Sequence, residues 1–206
     1  MKSLPSTADR SRQERVLAAA LEVFGRYGFR KTSMDEVARS ADISRQGLYL
    51  YFANKEVLFR AAVRQELDTA LGDASRCLNE DGAALDQRVV AALDAWLGRY
   101  VGSMLGVDIA DLLQNRAVHL GDMVEAAIAS FDAQLAATVA AATAEKDRRR
   151  LGVTPEEIAV ALHTVGQGAK YLSSSRGESR AEFVARLTAP VGLVLAGFGA
   201  STKKAP

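Results

Sequence analysis

Residues 33–59 read SMDEVARSADISRQGLYLYFANKEVLF, and the stretch changes character half-way along. Its first part has the pattern of a small amphipathic helix. Met34, Val37, Ala38 and Ala41 fall at i, i+3, i+4 and i+7, and Ser33 with Glu36 makes a capping box. After Ile43 comes a segment too short to persist as a helix alone. Ser44 can cap it, which makes Ile43 and Leu48 the two halves of a hydrophobic staple that fixes how the chain enters the helix. Two such helices joined at Asp42 and Ile43 form a helix-turn-helix candidate. Asn54 then caps a longer helix over residues 55–77.

On a helical wheel Leu48 and Phe52 of the short helix share one face and point at the preceding helices. The opposite face holds Gln46, Gly47 and Leu50, flanked by Arg45, Tyr49 and Tyr51. A purely solvated face has no need of Leu50 and two tyrosines. Duplex DNA suits the whole set. Gln46 matches an adenine edge, Arg45 a guanine edge, and Leu50 a thymine methyl. The Tyr49 and Tyr51 hydroxyls can hold phosphates, and Gly47 permits close approach. Lys55 sits at a helix start, where backbone N–H groups already favour phosphate, while Thr32, Ser33 and Ser44 add hydroxyls at helix starts.

Composition agrees with this reading without demanding it. The chain has 206 residues, is 49% hydrophobic and carries a net charge of +1. That charge is uneven: the first 60 residues hold four more basic than acidic side chains, and the remainder three more acidic than basic. A basic head points to a polyanionic partner. The start of the chain lacks a signal peptide's apolar core, and no apolar run looks long enough to span a bilayer, so no membrane partner is expected. Cys77 is the single cysteine, which fits a reducing, cytoplasmic setting. His119, His163 and Cys77 show no metal-ligand spacing, so neither metal nor cofactor is expected.

These residues resemble the N-terminal domain of the TetR family of bacterial transcriptional regulators. The resemblance rests on Thr32, Met34, Val37, Ala38, Ser44, Leu48, Tyr49, Tyr51, Phe52, Lys55, Glu56 and Leu58, and on Phe24 and Gly28 upstream. It covers about the first quarter of the chain. Asp42 stands where the family usually has a turn glycine, a position that Asp can fill in the left-handed conformation. Gln46 and Gly47 also depart from the usual pattern, so the operator sequence cannot be carried over from relatives.

The resemblance implies an all-α chain: a three-helix DNA-binding domain over residues 1–54, then a helical effector-binding and dimerisation domain over 55–206. It further implies a homodimer through the last two long helices, a small-molecule effector and a double-stranded DNA operator. About nine helices are expected, with a first helix over 11–26 and later ones over 84–104, 107–115, 121–148, 155–174 and 180–199. Pro190 is expected to break or bend the last of these. The run KDRRR, residues 146–150, reads as a solvated helix C-terminus.

Trp96, Tyr100 and Met104 recur at i, i+4 and i+8, as do His163, Gln167 and Tyr171, with Met123 and Phe131 on another helix. These rows are the candidate lining of an apolar pocket with a few polar groups, and equally candidates for plain core. The favoured reading is a ligand-responsive dimeric repressor, released from a palindromic operator by a small apolar or aromatic effector. Two rivals stay open: a protein-interaction module that docks through the tyrosine face, and a small all-helical enzyme. The enzyme reading lacks a nucleophile set, a metal cluster and a Gly-rich phosphate loop.

Overall fold

A computed structural model describes residues 7–102 and 120–198, which form nine α-helices and one 3₁₀ turn, with no strand among the described residues. The chain divides into two units, residues 1–68 with 104–123, and residues 69–103 with 124–206.

The first unit opens with α1 (Thr7–Lys31), longer than the sequence pattern indicates. Gly28 interrupts it at φ 75° and ψ 157°, a conformation that only glycine adopts without strain. Val16, Leu17, Ala20, Leu21 and Phe24 form its buried stripe, as their spacing predicts. Helices α2 (Met34–Ser40) and α3 (Arg45–Tyr51) follow, and α4 (Lys55–Leu78) begins in this unit. Phe24, Phe29 and Phe59 make an aromatic cluster with ring centroids 4.9–5.8 Å apart. Met34, Val37, Leu48, Phe52 and Leu58 complete this core.

The second unit takes the remainder of α4, then α5 (Leu85–Leu97), α6 (Gly121–Ala142, from Val124 onward), α7 (Glu145–Leu151), α8 (Pro155–Ser175) and α9 (Arg180–Ala196). Helix α9 packs on both α8 and α5. Its stripe Phe183, Leu187, Val191 and Leu195 is fully buried. Gly166 on α8 makes a close approach possible: a Cβ there would lie 2.8 Å from Leu97 Cδ1 and 2.9 Å from Leu93 Cδ2.

Several expectations are corrected here. Helix α5 stops at Leu97 and passes through a 3₁₀ turn (Gly98–Tyr100) into extended backbone at Val101. The helix expected over 121–148 ends at Ala142, because Arg148 folds back and donates to the Thr143 carbonyl and, at 2.7 Å, to its hydroxyl oxygen. The run KDRRR therefore supplies a cap for α6 from within the separate helix α7. Helix α9 runs through Pro190 without ending. The proline costs about 3 kcal/mol; the stripe on both sides of it, at about 1.5–3 kcal/mol per buried side chain, outweighs that. Residues 122–142 are in fact long and apolar enough to cross a membrane by length and composition. Ala127, Phe131, Leu135 and Val139 of that helix are buried within the protein. The helix expected over 107–115 lies outside the described residues.

Asp42 carries φ 53°, the one positive φ outside glycine among the described residues. Its N–H reaches Arg39 O and that of Ile43 reaches Ala38 O, the paired bonds of a Schellman ending. Asp42→Val should cost about 1–2 kcal/mol, since a β-branched side chain is strained there. Asp42→Gly should stay within about 1 kcal/mol of the wild type. Urea midpoints of the two variants check both values.

Candidate functional site

The exposed surface of α3 is set by what lies beneath and before it. Ser44 Oγ accepts from Gly47 N–H at 3.0 Å, and Leu48 and Phe52 are buried. That seating turns Arg45, Gln46, Tyr49, Leu50 and Tyr51 outward, with Gly47 half-buried beside them. Leu50 is 82% exposed, so it serves no core. Arg45 Nη1 is 3.1 Å from Asp35 Oδ2 on α2, and its guanidinium lies 5.7 Å from the Tyr49 ring centroid. Asp35 is a positioning contact that sequence reading missed. Its place in the first turn of α2, ten residues before Arg45, looks like ordinary helix-dipole chemistry.

The remaining predicted contacts, Thr32, Ser33 and Lys55, are engaged within the protein. Thr32 is 2% exposed, and its hydroxyl donates to Gly28 O at 2.9 Å. Ser33 caps α2: Glu36 N–H donates to Ser33 Oγ at 3.2 Å, and Ser33 N–H donates to Glu36 Oε2 at 2.7 Å. The Ser33 N–H and then its hydroxyl hold the Glu36 carboxyl below the usual carboxylate range. Lys55 Nζ donates to Phe29 O at 2.8 Å and Thr32 O at 2.9 Å, and sits 4.6 Å from the Phe29 ring centroid. Its ammonium therefore closes the C-terminal end of α1, a role its position at a helix start does not reveal.

In the second unit, Trp96, Phe131, His163 and Gln167 come together. Trp96 and Phe131 stack at 5.1 Å and 11°, and His163 meets the Phe131 ring edgewise at 5.2 Å. Trp96 Nε1–H, a donor only, points at His163 Nε2 at 3.4 Å, so that nitrogen accepts. The proton then sits on Nδ1 and is donated to Asp132 Oδ1 at 2.6 Å. The Gln167 amide nitrogen is 3.2 Å from the same Nε2. Asp132 was missed, being adjacent to a core Phe and outside both periodic rows.

The other candidates are placed differently. Tyr100 lies on the 3₁₀ turn with Lys170 Nζ 5.0 Å from its ring centroid, and burial pushes the Lys170 amine down. Tyr171 is 74% exposed. Met123 is buried in the first unit, and Met104 lies outside the described residues. Among the described residues no group of three His, Cys, Asp or Glu could hold a metal ion.

Helices α8 and α9 pack together and leave apolar surface uncovered. Val160, Tyr171 and Leu172 on α8 and Leu193 on α9 are exposed, among the exposed small residues Ala161, Gly168, Ala185 and Ala189. No charged residue occurs from Leu187 to Ala196.

The model of a family described as "Bacterial regulatory proteins, tetR family" matches residues 16–62, which run from α1 into α4. Over this segment the chain is similar to that family. YfiR of Bacillus subtilis, an HTH-type transcriptional regulator, is 35% identical over 102 residues, covering 50% of this chain and 46% of YfiR. RutR of Escherichia coli, another such regulator, is 36% identical over 80 residues, 39% of this chain and 37% of RutR. The matches thus span less than half of these relatives. The whole fold is similar to a transcriptional regulator from Rhodococcus, with a TM-score of 0.69 at 20% identity over 90% of this chain and 96% of that one. It is also similar to FadR of Bacillus subtilis, solved with stearoyl-CoA, with a TM-score of 0.66 at 13% identity over 89% and 97% of the two chains.

Within the matched segment, Lys55→Met should lower stability by about 1.5–3 kcal/mol, because carbonyls at the end of α1 lose a charged donor. A urea melt of the full chain checks this. A lysine held only for phosphate would leave the midpoint where it is.

Proposed function

We propose that this chain is a ligand-responsive transcriptional repressor that acts in the cytoplasm and binds a palindromic operator as a dimer. The observation that carries the DNA reading is α3. A rigidly seated seven-residue helix presents Arg45, Gln46, Tyr49, Tyr51 and an almost fully exposed Leu50 on one surface. In a major groove Gln46 and Arg45 would face base edges, Leu50 a thymine methyl, and Tyr49, Tyr51 and Ser44 the phosphates. Gly47 keeps the approach open. Thr32, Ser33 and Lys55 support this surface by ordering the backbone behind it, with the helix starts they occupy near the phosphates.

The exposed apolar residues of α8 and α9, with no charge from Leu187 to Ala196, support self-association through these two helices. A two-fold dimer reads an inverted repeat, one α3 per half-site. Residues 1–54 would then bind DNA and 55–206 would dimerise and take the effector. Trp96, Phe131, His163 and Gln167, with Tyr100 nearby on the same unit, are the polar-aromatic group proposed to meet it. The stearoyl-CoA bound to FadR offers one precedent on this fold for a ligand with a long apolar part. A docking module for another protein is the alternative for α3, and it predicts no preference among duplexes.

Selection of bound duplexes from a random library at two salt concentrations tests the reading. An inverted repeat should emerge, with affinity falling by about 0.9 decades per decade of salt for each phosphate contacted. Gln46→Ala should relax preference at one position of each half-site by about 1–3 kcal/mol. Sedimentation of Leu193→Asp should show a monomer that keeps its helical circular dichroism, where the wild type sediments as a dimer. No enrichment at low salt would transfer α3 to a protein partner.

A further inference from the structure

A cavity of about 280 Å³ lies in the second unit where the C-terminal end of α4, the start of α5 and the later part of α6 meet. Leu78, Ala137 and Ala141 give it apolar walls. It is separate from the Trp96–Phe131–His163 group, whose residues are not in its lining.

Two residues of this lining each carry a buried polar atom with no hydrogen-bond partner: Arg88 Nε and Gln134 Oε1. Buried polar groups are nearly always paired, and one left unpaired costs about 1–3 kcal/mol. The two atoms are complementary in kind, one a donor on a cation and the other a neutral acceptor. The other polar groups around them are engaged locally. Asn79 Nδ2 donates to Ser75 O at 2.7 Å, and Thr138 Oγ1 donates to Gln134 O at 3.0 Å. Arg88 is itself held in place, since Nη1 donates to Leu78 O at 3.0 Å at the end of α4. The ion pairs of this unit among the described residues use other arginines: Arg76, Arg99, Arg149, Arg176, Arg180 and Arg186.

A half-buried guanidinium that is anchored at one nitrogen, bare at another and not matched to a carboxylate of the protein is a receptor for an outside anion. Gln134 Oε1 asks for a donor on the same ligand. We infer that this cavity is a small-molecule site for a compact carboxylic acid that carries a hydroxyl or amino group beside the acid. The carboxylate meets Arg88, the donor meets Gln134, and the apolar body lies against Leu78, Ala137 and Ala141. The volume is at the lower edge of that of ligand pockets in general, which excludes a long acyl chain lying wholly within it.

The site is tested on the full chain without DNA, so the result is independent of the regulator reading. The probes are mandelate, phenylacetate (the same acid without the hydroxyl) and mandelamide (the hydroxyl without the charge). Binding is followed by ligand-observed NMR and by the thermal midpoint. Mandelate should bind, phenylacetate at least tenfold more weakly, and mandelamide more weakly still. Gln134→Leu, which keeps the volume and removes the acceptor, should bring mandelate down to the level of phenylacetate. Ala141→Leu should fill the cavity and abolish binding of both acids, with circular dichroism confirming that the variant folds. The inference is overturned if no probe binds at millimolar concentration, the result expected of a water bridging Arg88 and Gln134. It is equally overturned if mandelamide binds as well as mandelate, or if Ala141→Leu leaves binding unchanged.

Discussion

A seven-residue helix cannot hold its shape in water, because nucleation costs more than so few hydrogen bonds return. Everything that α3 presents therefore depends on Leu48, which has no exposed surface and fastens the helix to the core of the first unit. The ends are fastened separately. The Schellman bonds at Asp42 and Ile43 close α2, and Ser44 opens α3 one residue later. With the anchor, the turn and the cap all fixed, the direction of each outward side chain follows from the helical repeat alone. Arg45 gains a further restraint from Asp35 across the turn.

The same local logic made much of the fold legible in the sequence. Caps and staples act within four residues, so Ser33 with Glu36 marks a helix start, and it is a capping box in the structure. Thr154 with Glu157 and Ser179 with Glu182 make the same box at the starts of α8 and α9, a signal that went unread. The buried stripe of α1 was equally readable from spacing. What escaped has a common cause in tertiary contact. The break after Ala142 is made by Arg148, whose reach over five residues leaves no periodic signal. The continuation through Pro190 depends on the buried neighbours of that residue, and proline alone argues the opposite.

Functional residues divide in the same way. The outward face of α3 was predictable because a helix with one anchored face must expose the other. The occupation of Lys55 and Thr32 was not, since both bond to carbonyls that only the folded backbone brings near. Asp132 shows the limit from another side. It reaches His163 from a neighbouring helix, 31 residues away in sequence, and a lone acid beside a core phenylalanine carries no mark of that pairing. Trp96 completes the arrangement by fixing which imidazole nitrogen accepts.

Gly166 gives the second unit a mechanical character. Leu93 and Leu97 occupy the space where its side chain would be, so α8 is notched over α5 at this one point. The next buried residues along that face, Leu162 and Ala169, have no such hollow to offer. Sliding α8 by a turn would drive the two leucines into one of them, whereas tilting it about Gly166 keeps both seated. The notch thus works as a key that sets the register of α8 on α5.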